Sequence, residues 1–210
     1  AVTPPPLGPS VPESAILTPP APQTPRINGA SIFGVRPGSP ILYTMPVTGV
    51  RPMTFTATGL PKGATFDAKT GRIGGAVATP GTYRIKLGAR NAKGSTTREF
   101  RLVVGSEIGL TPPMGWNSYN VWSDQVTQER ALAAARVMVS TGLVNHGWSY
   151  INIDDGWQGK RATQGRKSLA PDLSRFPDMK GMIDEIHGMG LKFGLYSSPW
   201  VLTYANRLGG

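Results

Sequence analysis

Hydrophobic and polar positions alternate along several short segments in the first half of the chain. In residues 52–58 apolar side chains are separated by threonines, and residues 82–89 and 100–104 alternate in the same way. A period of two is typical of strands that bury one face. Turn residues at 91–94 separate two of these segments. The pattern predicts a β-sandwich over residues 16–105.

In the second half of the chain, the spacing of apolar positions changes from that of strands to that of helices. Residues 125–141 carry apolar side chains at helical spacing, and we expect their buried face to include Met138 and Val139. A second helix is predicted to begin after Asp178, a candidate N-cap, and to stop at Gly190.

Short apolar segments at residues 113–116, 149–153 and 191–196 lie on either side of these helices. The order β-α-β-α-β requires parallel strands joined by crossovers. A doubly wound sheet also fits this order, but residues 115–118 do not form the Gly-rich phosphate loop that such a sheet would place after its first strand. Polar residues follow each predicted strand, which is where barrel enzymes place their sites. Residues 106–210 are therefore predicted to form the first β/α units of a (β/α)8 TIM barrel.

Composition narrows the class of protein. The 210 residues include 27 Gly and 20 Pro, which favours turns and short strands over long helices. The absence of cysteine excludes disulfides, thiolate zinc sites and cysteine nucleophiles. No stretch approaches the roughly 20 apolar residues of a membrane span. Residues 1–15 contain five prolines and are predicted to be an extended lead-in. Because no signal peptide opens the chain at Ala1, we expect that a leader has been removed or that the sequence is an excerpt.

Charge and tryptophan are unevenly distributed. Residues 1–105 hold 12 Lys and Arg against 3 Asp and Glu, whereas residues 106–210 hold 10 against 9. The basic residues of the first half are dispersed, so we interpret them as a solvated strand face and predict no nucleic-acid partner. All five Trp lie in the second half. The first half therefore lacks the side chain best suited to stacking on sugars, and a packing role is favoured for it over carbohydrate binding.

Four motifs of the second half resemble a known family. Residues 111–120, Thr-Pro-Pro-Met-Gly-Trp-Asn-Ser-Tyr-Asn, look like the opening signature of glycoside hydrolase family 27, the α-galactosidases. Residues 153–157 resemble the second-strand motif of that family, and residues 175–180 and 190–196 resemble the following helix and third strand. Residues 15–105 resemble the immunoglobulin-like domains found in bacterial proteins.

The resemblance implies a set of sugar-binding residues. It assigns Trp116 to the wall of the pocket and Asp154 and Asp155 to the galactose hydroxyls, with Tyr196 nearby and Trp157 as a further candidate. Carboxylates accept strong hydrogen bonds from hydroxyls, and an indole covers the apolar face of a pyranose. Adjacent carboxylates could instead bind Mg²⁺ or Ca²⁺, or could simply end the strand. No further carboxylate cluster follows them, so sugar binding is favoured and neither a metal nor a cofactor is predicted.

The resemblance also implies a retaining glycosidase, which needs a carboxylate nucleophile and a carboxyl acid/base about 5–5.5 Å apart. In the family these groups follow the fourth and sixth strands. Residues 106–210 supply 105 of the ~250 residues of a barrel. We therefore expect the N-terminal portion of a longer enzyme, with no catalytic residue in this chain. Expressed alone, the chain should be inactive, with an aggregation-prone second half.

The implied substrates are oligosaccharides or polysaccharides that carry terminal α-galactose, and the implied location is secreted or periplasmic. Relatives also include α-N-acetylgalactosaminidases, β-L-arabinopyranosidases and isomaltodextranases, and the sequence does not choose among these activities. The alternative function is that of a non-catalytic carbohydrate-binding or interaction protein.

Overall fold

The computed structural model describes residues 20–160 and 168–209, so the predicted lead-in, residues 1–15, lies outside the described residues. The strands of the first region are β1 Arg26–Ile27, β2 Ile32–Val35, β3 Tyr43–Thr44, β4 Val47–Thr48, β5 Thr54–Thr58, β6 Ala64–Asp67, β7 Arg72–Gly75, β8 Gly81–Asn91 and β9 Gly94–Val104. The elements of the second region are β10 Gly115–Asn117, α1 Tyr119–Trp122, α2 Gln128–Ser140, β11 Tyr150–Ile153, α3 Met179–Gly188 and β12 Lys192–Leu195, with 3-10 turns at Ser123–Gln125 and Leu143–His146. None of the helices in the described part of the chain has both the length and the apolar character needed to cross a bilayer.

Seven strands of the first region, β2, β3 and β5 to β9, build two facing sheets. One sheet has the order β2-β9-β8-β5 and the other has the order β3-β7-β6, while β1 pairs separately with β4. The predicted turn at residues 91–94 joins β8 to β9, whose register pairs Asn91 with Gly94. All pairs in these two sheets are antiparallel except β2 with β9, which is parallel.

The alternating apolar positions supply the core between these sheets. Phe55, Ile85 and Leu102 are buried on strands of the first sheet. The ring of Phe100, also on that sheet, lies 4.3 Å from the ring of Tyr43 on the opposite sheet, measured between centroids. The predicted immunoglobulin-like sandwich is confirmed.

The second region is a parallel sheet of order β10-β11-β12 in the described residues. Its register pairs Trp116 with Ile151 and Ile151 with Phe193. Helix α2 connects β10 to β11, and α3 connects β11 to β12. This is the predicted β-α-β-α-β arrangement, with a second core formed by both helices and the sheet.

Helix α2 is shorter than predicted. Thr127 caps it, with its Oγ1 accepting a hydrogen bond of 3.3 Å from the backbone N–H of Arg130, so Gln125 lies in the preceding 3-10 turn instead. The prediction that Val139 is buried was wrong, because its side chain is 39% exposed. The buried stripe runs through Ala131, Ala135 and Met138, which leaves Val139 at the edge of that stripe in the last turn.

Helix α3 begins as predicted. Asp178 caps it, with Oδ1 accepting a hydrogen bond of 2.8 Å from the backbone N–H of Gly181. Met182 and Ile186, one turn apart, are buried against the sheet. The helix and its capping residue therefore hold β12 in position beside β11.

Candidate functional site

Polar side chains meet where the three parallel strands end. Asn117 is the last residue of β10, Asp154 and Asp155 follow β11 directly, and Tyr196 follows β12. Because parallel strands share one direction, these residues lie together at the carboxyl edge of the sheet. The structure thus places the predicted polar site residues on one edge.

Asp154 is held rigidly but stays accessible. Its Oδ2 accepts a hydrogen bond of 2.8 Å from Asn117 Nδ2, and its Oδ1 accepts one of 2.7 Å from the backbone N–H of Asp155. The buried hydroxyl of Ser118 accepts a hydrogen bond of 3.0 Å from the backbone N–H of Asp154. The side chain is half-buried, and each carboxylate oxygen retains acceptor capacity. The oriented carboxylate can therefore accept hydrogen bonds from a ligand.

Asp155 has a different environment. It is only 2% exposed, and its carboxylate accepts two short hydrogen bonds from the segment after β12. Thr203 Oγ1 donates to Oδ1 at 2.6 Å, and the backbone N–H of Ala205 donates to Oδ2 at 2.7 Å. The two adjacent carboxylates therefore face different partners. The assignment of Asp155 to a sugar hydroxyl stays a prediction.

The segment that covers Asp155 is a short hairpin, residues 201–209. Thr203 and Arg207 are joined by a backbone hydrogen bond of 2.8 Å, and Arg207 Nη2 forms an ion pair of 3.0 Å with Asp124 Oδ2. Tyr204 at the tip is 93% exposed, and Trp200 just before the hairpin is 71% exposed. The hairpin therefore presents aromatic side chains to solvent next to the strand ends.

The phenol of Tyr196 lies within the electrostatic reach of this edge. Partial burial, followed by the negative charges of Asp155 and Asp154, raises its pKa above the ordinary value. The phenols of Tyr204 and Tyr119 shift the pKa in the same direction. Tyr196 therefore stays neutral at physiological pH and can both donate and accept a hydrogen bond.

The two predicted indoles have unequal roles. Trp116 on β10 is half-buried and packs on the second core, with part of its surface free. Trp157 is 6% exposed, and its Nε1 donates a hydrogen bond of 2.8 Å to the backbone carbonyl of Tyr196. Trp157 thus fixes the end of β12 from within the core, and its direct contact with a sugar stays a prediction.

A glycine is required between the carboxylates and Trp157. Gly156 has a φ of +110°, and a Cβ at this position would lie 2.6 Å from the backbone oxygen of Asp124. A side chain would push the strand end away from the 3-10 turn that carries Asp124.

Several residues of the site were not singled out from the sequence. Asn117 and Ser118 belong to the first motif, and their polarity after an apolar strand was the available signal. Thr203 and Tyr204 lie in a segment without periodicity, so only the fold brings them to Asp155 and Tyr196. Within residues 20–160 and 168–209, no three His, Asp or Glu side chains are grouped so that they could hold a metal ion.

An immunoglobulin-like sandwich followed by parallel β/α units, with a polar site at the strand ends, defines a modular protein of the class that carries its site on a β/α domain. Residues 14–105 match the family model described as "Putative Ig domain". Residues 111–209 match the model described as "Alpha galactosidase A". The second region thus matches the N-terminal part of an enzyme of the α-galactosidase family of glycoside hydrolases.

Individual relatives agree with the family match. "Probable alpha-galactosidase B" of Talaromyces emersonii is 44% identical over 108 residues, which cover 50% of this chain and 24% of that protein. "Alpha-galactosidase A" of Cellvibrio japonicus is 40% identical over 104 residues, which cover 49% of this chain and 25% of that protein. The chain thus spans about a quarter of the length of these curated relatives.

A crystal structure extends the match across both regions. A protein of Bacteroides fragilis described as a "putative alpha-galactosidase" is 39% identical, with a TM-score of 0.82 over 89% of this chain and 40% of that one. The sandwich and the barrel units are therefore similar to that structure together, including their relative placement.

Proposed function

We propose that this chain is part of a secreted or periplasmic retaining α-galactosidase that removes terminal α-D-galactose from oligosaccharides or polysaccharides. The observation that carries the proposal is the half-buried carboxylate of Asp154, oriented by Asn117 at the carboxyl edge of parallel strands in an α-galactosidase-family region. That family supplies the substrate class, since the relatives above are α-galactosidases.

In this proposal the chain's residues bind and orient the terminal sugar. Asp154 accepts hydrogen bonds from galactose hydroxyls, which are stronger than neutral ones because the acceptor is charged. The neutral phenol of Tyr196 adds a donor, and the free part of Trp116 covers the apolar face of the ring. The pocket thereby excludes water from one side of the glycosidic carbon.

The nucleophile and the acid/base are proposed to come from later strands of the barrel. Two carboxyl groups about 5–5.5 Å apart are needed for double displacement with retention. Asp154 is already engaged by Asn117 and the backbone, and Asp155 is covered by the hairpin. Both are therefore assigned to binding and positioning rather than to bond breaking.

The test is hydrolysis of a nitrophenyl α-galactoside by the full-length protein, with NMR detection of the first anomer released. We expect α-galactose first, as retention requires. Asp154→Asn should lower kcat/KM by roughly 10- to 100-fold, because a hydrogen bond to a charged group is worth about 1.5–3 kcal/mol.

Asp184→Asn is the matched control. Asp184 is exposed on α3, where its Oδ2 forms an ion pair of 2.5 Å with Lys180 Nζ. It should leave kcat/KM unchanged. A folded wild-type protein that binds galactose without turnover would contradict the proposal and favour a non-catalytic carbohydrate-binding protein.

A further inference from the structure

In the described part of the chain, the sandwich contacts the barrel units at the end of the sheet opposite to Asp154. Asn28 Nδ2 donates a hydrogen bond of 2.9 Å to the backbone carbonyl of Asn145, and Arg51 Nη2 donates one of 2.8 Å to Asn145 Oδ1. Thr44 Oγ1 donates one of 3.1 Å to the backbone carbonyl of Gly190. Asn145 precedes β11 and Gly190 precedes β12, so both acceptors lie at the amino ends of the strands.

The two backbones also approach closely at this contact. Gly147 has a φ of +104°, and a Cβ built on it would lie 3.1 Å from the Cα of Gly29 in the sandwich. The connecting segment is packed as well, because a Cβ on Gly34 of β2 would lie 2.8 Å from the Cα of Ile108. The two regions therefore touch directly at these glycines and are not joined by a loose tether alone.

A cation bridges the two regions beside these glycines. Lys192, the first residue of β12, places its Nζ 5.0 Å from the ring centroid of Phe33 in the sandwich and 4.9 Å from that of Tyr150 on β11. An ammonium over aromatic faces is attracted by the ring quadrupoles, more strongly when it is shielded from water. These groups line a cavity of about 350 Å³ between the two regions.

We propose that the sandwich functions as a docking domain for the amino-terminal face of the barrel, holding the segments that enter β11 and β12 in place. Its partner is this face of its own chain and not a carbohydrate. Four-residue strands at ~3.3 Å per residue separate the docking face from the site by roughly 13 Å. The sandwich thus acts on the stability of the barrel without touching the substrate.

Two observations support this role over sugar capture. All five Trp lie outside the sandwich, so it lacks the usual stacking platform. The similarity to the Bacteroides fragilis structure spans both regions in a single superposition, as expected for a fixed arrangement.

The test compares two triple variants of the full-length protein. The docking variant carries Asn28→Ala, Thr44→Val and Arg51→Ala, which remove the three hydrogen bonds between the regions and also those that Asn28 and Arg51 donate within the sandwich. The control variant carries Thr58→Val, Lys86→Ala and Arg90→Ala, which also remove three polar side chains of the sandwich and lie on exposed positions of β5 and β8. The Trp residues make fluorescence a reporter of the barrel region alone.

We expect the docking variant to lower the midpoint of the fluorescence-monitored thermal transition by roughly 3–8 °C relative to the control. Proteolysis within residues 105–113, which connect the regions, should become several-fold faster. Both readouts are independent of hydrolysis, so they remain decisive if the protein proves inactive on α-galactosides.

The opposite pattern would overturn the proposal. If the docking variant keeps the midpoint and the proteolysis rate of the control, the sandwich is only tethered. If the control variant weakens binding to galactose-bearing polysaccharide while both variants keep the wild-type midpoint, the exposed face of the sandwich is a sugar-binding surface instead.

Discussion

The sandwich and the barrel units differ in how completely each covers its own apolar surface. In the sandwich two sheets face one another, and Val50 is the one large hydrophobic among its described residues that is substantially exposed. The second region exposes many, including Val121, Leu195, Trp200 and Val201. Both regions thus have a core, but only the first covers its large apolar side chains almost completely.

The largest effect that would test this contrast is expected when a buried phenylalanine is changed to alanine in each region. Phe100 and Phe176 are almost completely buried, the first in the sandwich and the second in the barrel units. Changing either to Ala should cost about 3–5 kcal/mol of unfolding free energy, since each leaves a cavity. The measurement is urea unfolding followed by Trp fluorescence, which reports the second region only.

Phe176→Ala should move the fluorescence midpoint strongly, and Phe100→Ala should move it less, by the contribution of docking alone. Equal shifts from the two variants would show that both cores unfold as one unit, and the contrast between the regions would fail.

A smaller effect is expected at Asp155, which belongs to the less enclosed region. Asp155→Asn removes the charge that holds the hairpin while keeping the shape of the side chain. We expect a loss of about 1–3 kcal/mol, because a buried acceptor for Thr203 and the Ala205 N–H is weakened. The measurement is the rate of tryptic cleavage at Arg207, compared with the rate in the Asp154→Asn variant. A faster rate shows that the hairpin has loosened.

The Asp154→Asn variant should be cleaved by trypsin at the wild-type rate, because none of the hydrogen bonds described for Asp154 joins it to the hairpin. If the Asp155→Asn variant were also cleaved at that rate and yet lost activity, Asp155 would act on the sugar and not on the hairpin.

The smallest effect is a pH dependence of the unfolding free energy that arises from Lys192, which lies between the two regions. Burial lowers the pKa of Lys192 to about 8, and among the described residues no carboxylate forms an ion pair with it. Between pH 8 and the ordinary lysine value near ~10.4 the unfolded chain binds a proton that the folded chain has released. Unfolding free energy should therefore rise with pH in this window, by at most about 1.4 kcal/mol per pH unit.

Denaturation from pH 7 to 9.5 measures this rise. The half-buried Tyr150, whose pKa is raised by desolvation, titrates above this range. Lys192→Met should flatten the curve. A rise of the same slope in Lys192→Met would assign it to another group.

The elements with strict periodicity could be predicted from the sequence. The alternation around Phe55 and Ile85 predicted their strands, and the cap at Asp178 predicted the start of α3. The prediction that Val139 is buried was wrong because one side of a helix has an exposed edge as well as a buried centre. Val139 follows Leu132 by seven residues, and this spacing does not show whether a residue lies at the edge or at the centre.

The site could be predicted only where polar residues follow strands directly. Asp154 and Tyr196 meet that condition, so their proximity follows from parallel topology. The hairpin that covers Asp155 does not, because its hydrogen bonds join residues almost 50 positions apart without any repeating pattern. The docking contact could not be predicted from the sequence either, because Asn, Thr and Arg, the residue types of Asn28, Thr44 and Arg51, are common on protein surfaces.

Because the candidate site and the docking face lie at opposite ends of the sheet, the two can vary separately during evolution. Loops at the carboxyl ends can be lengthened or replaced without disturbing the Asn145 and Gly190 contacts at the amino ends. Substrate preference and structural anchoring are then free to vary independently. The hairpin can therefore be mutated while the docking face is left intact.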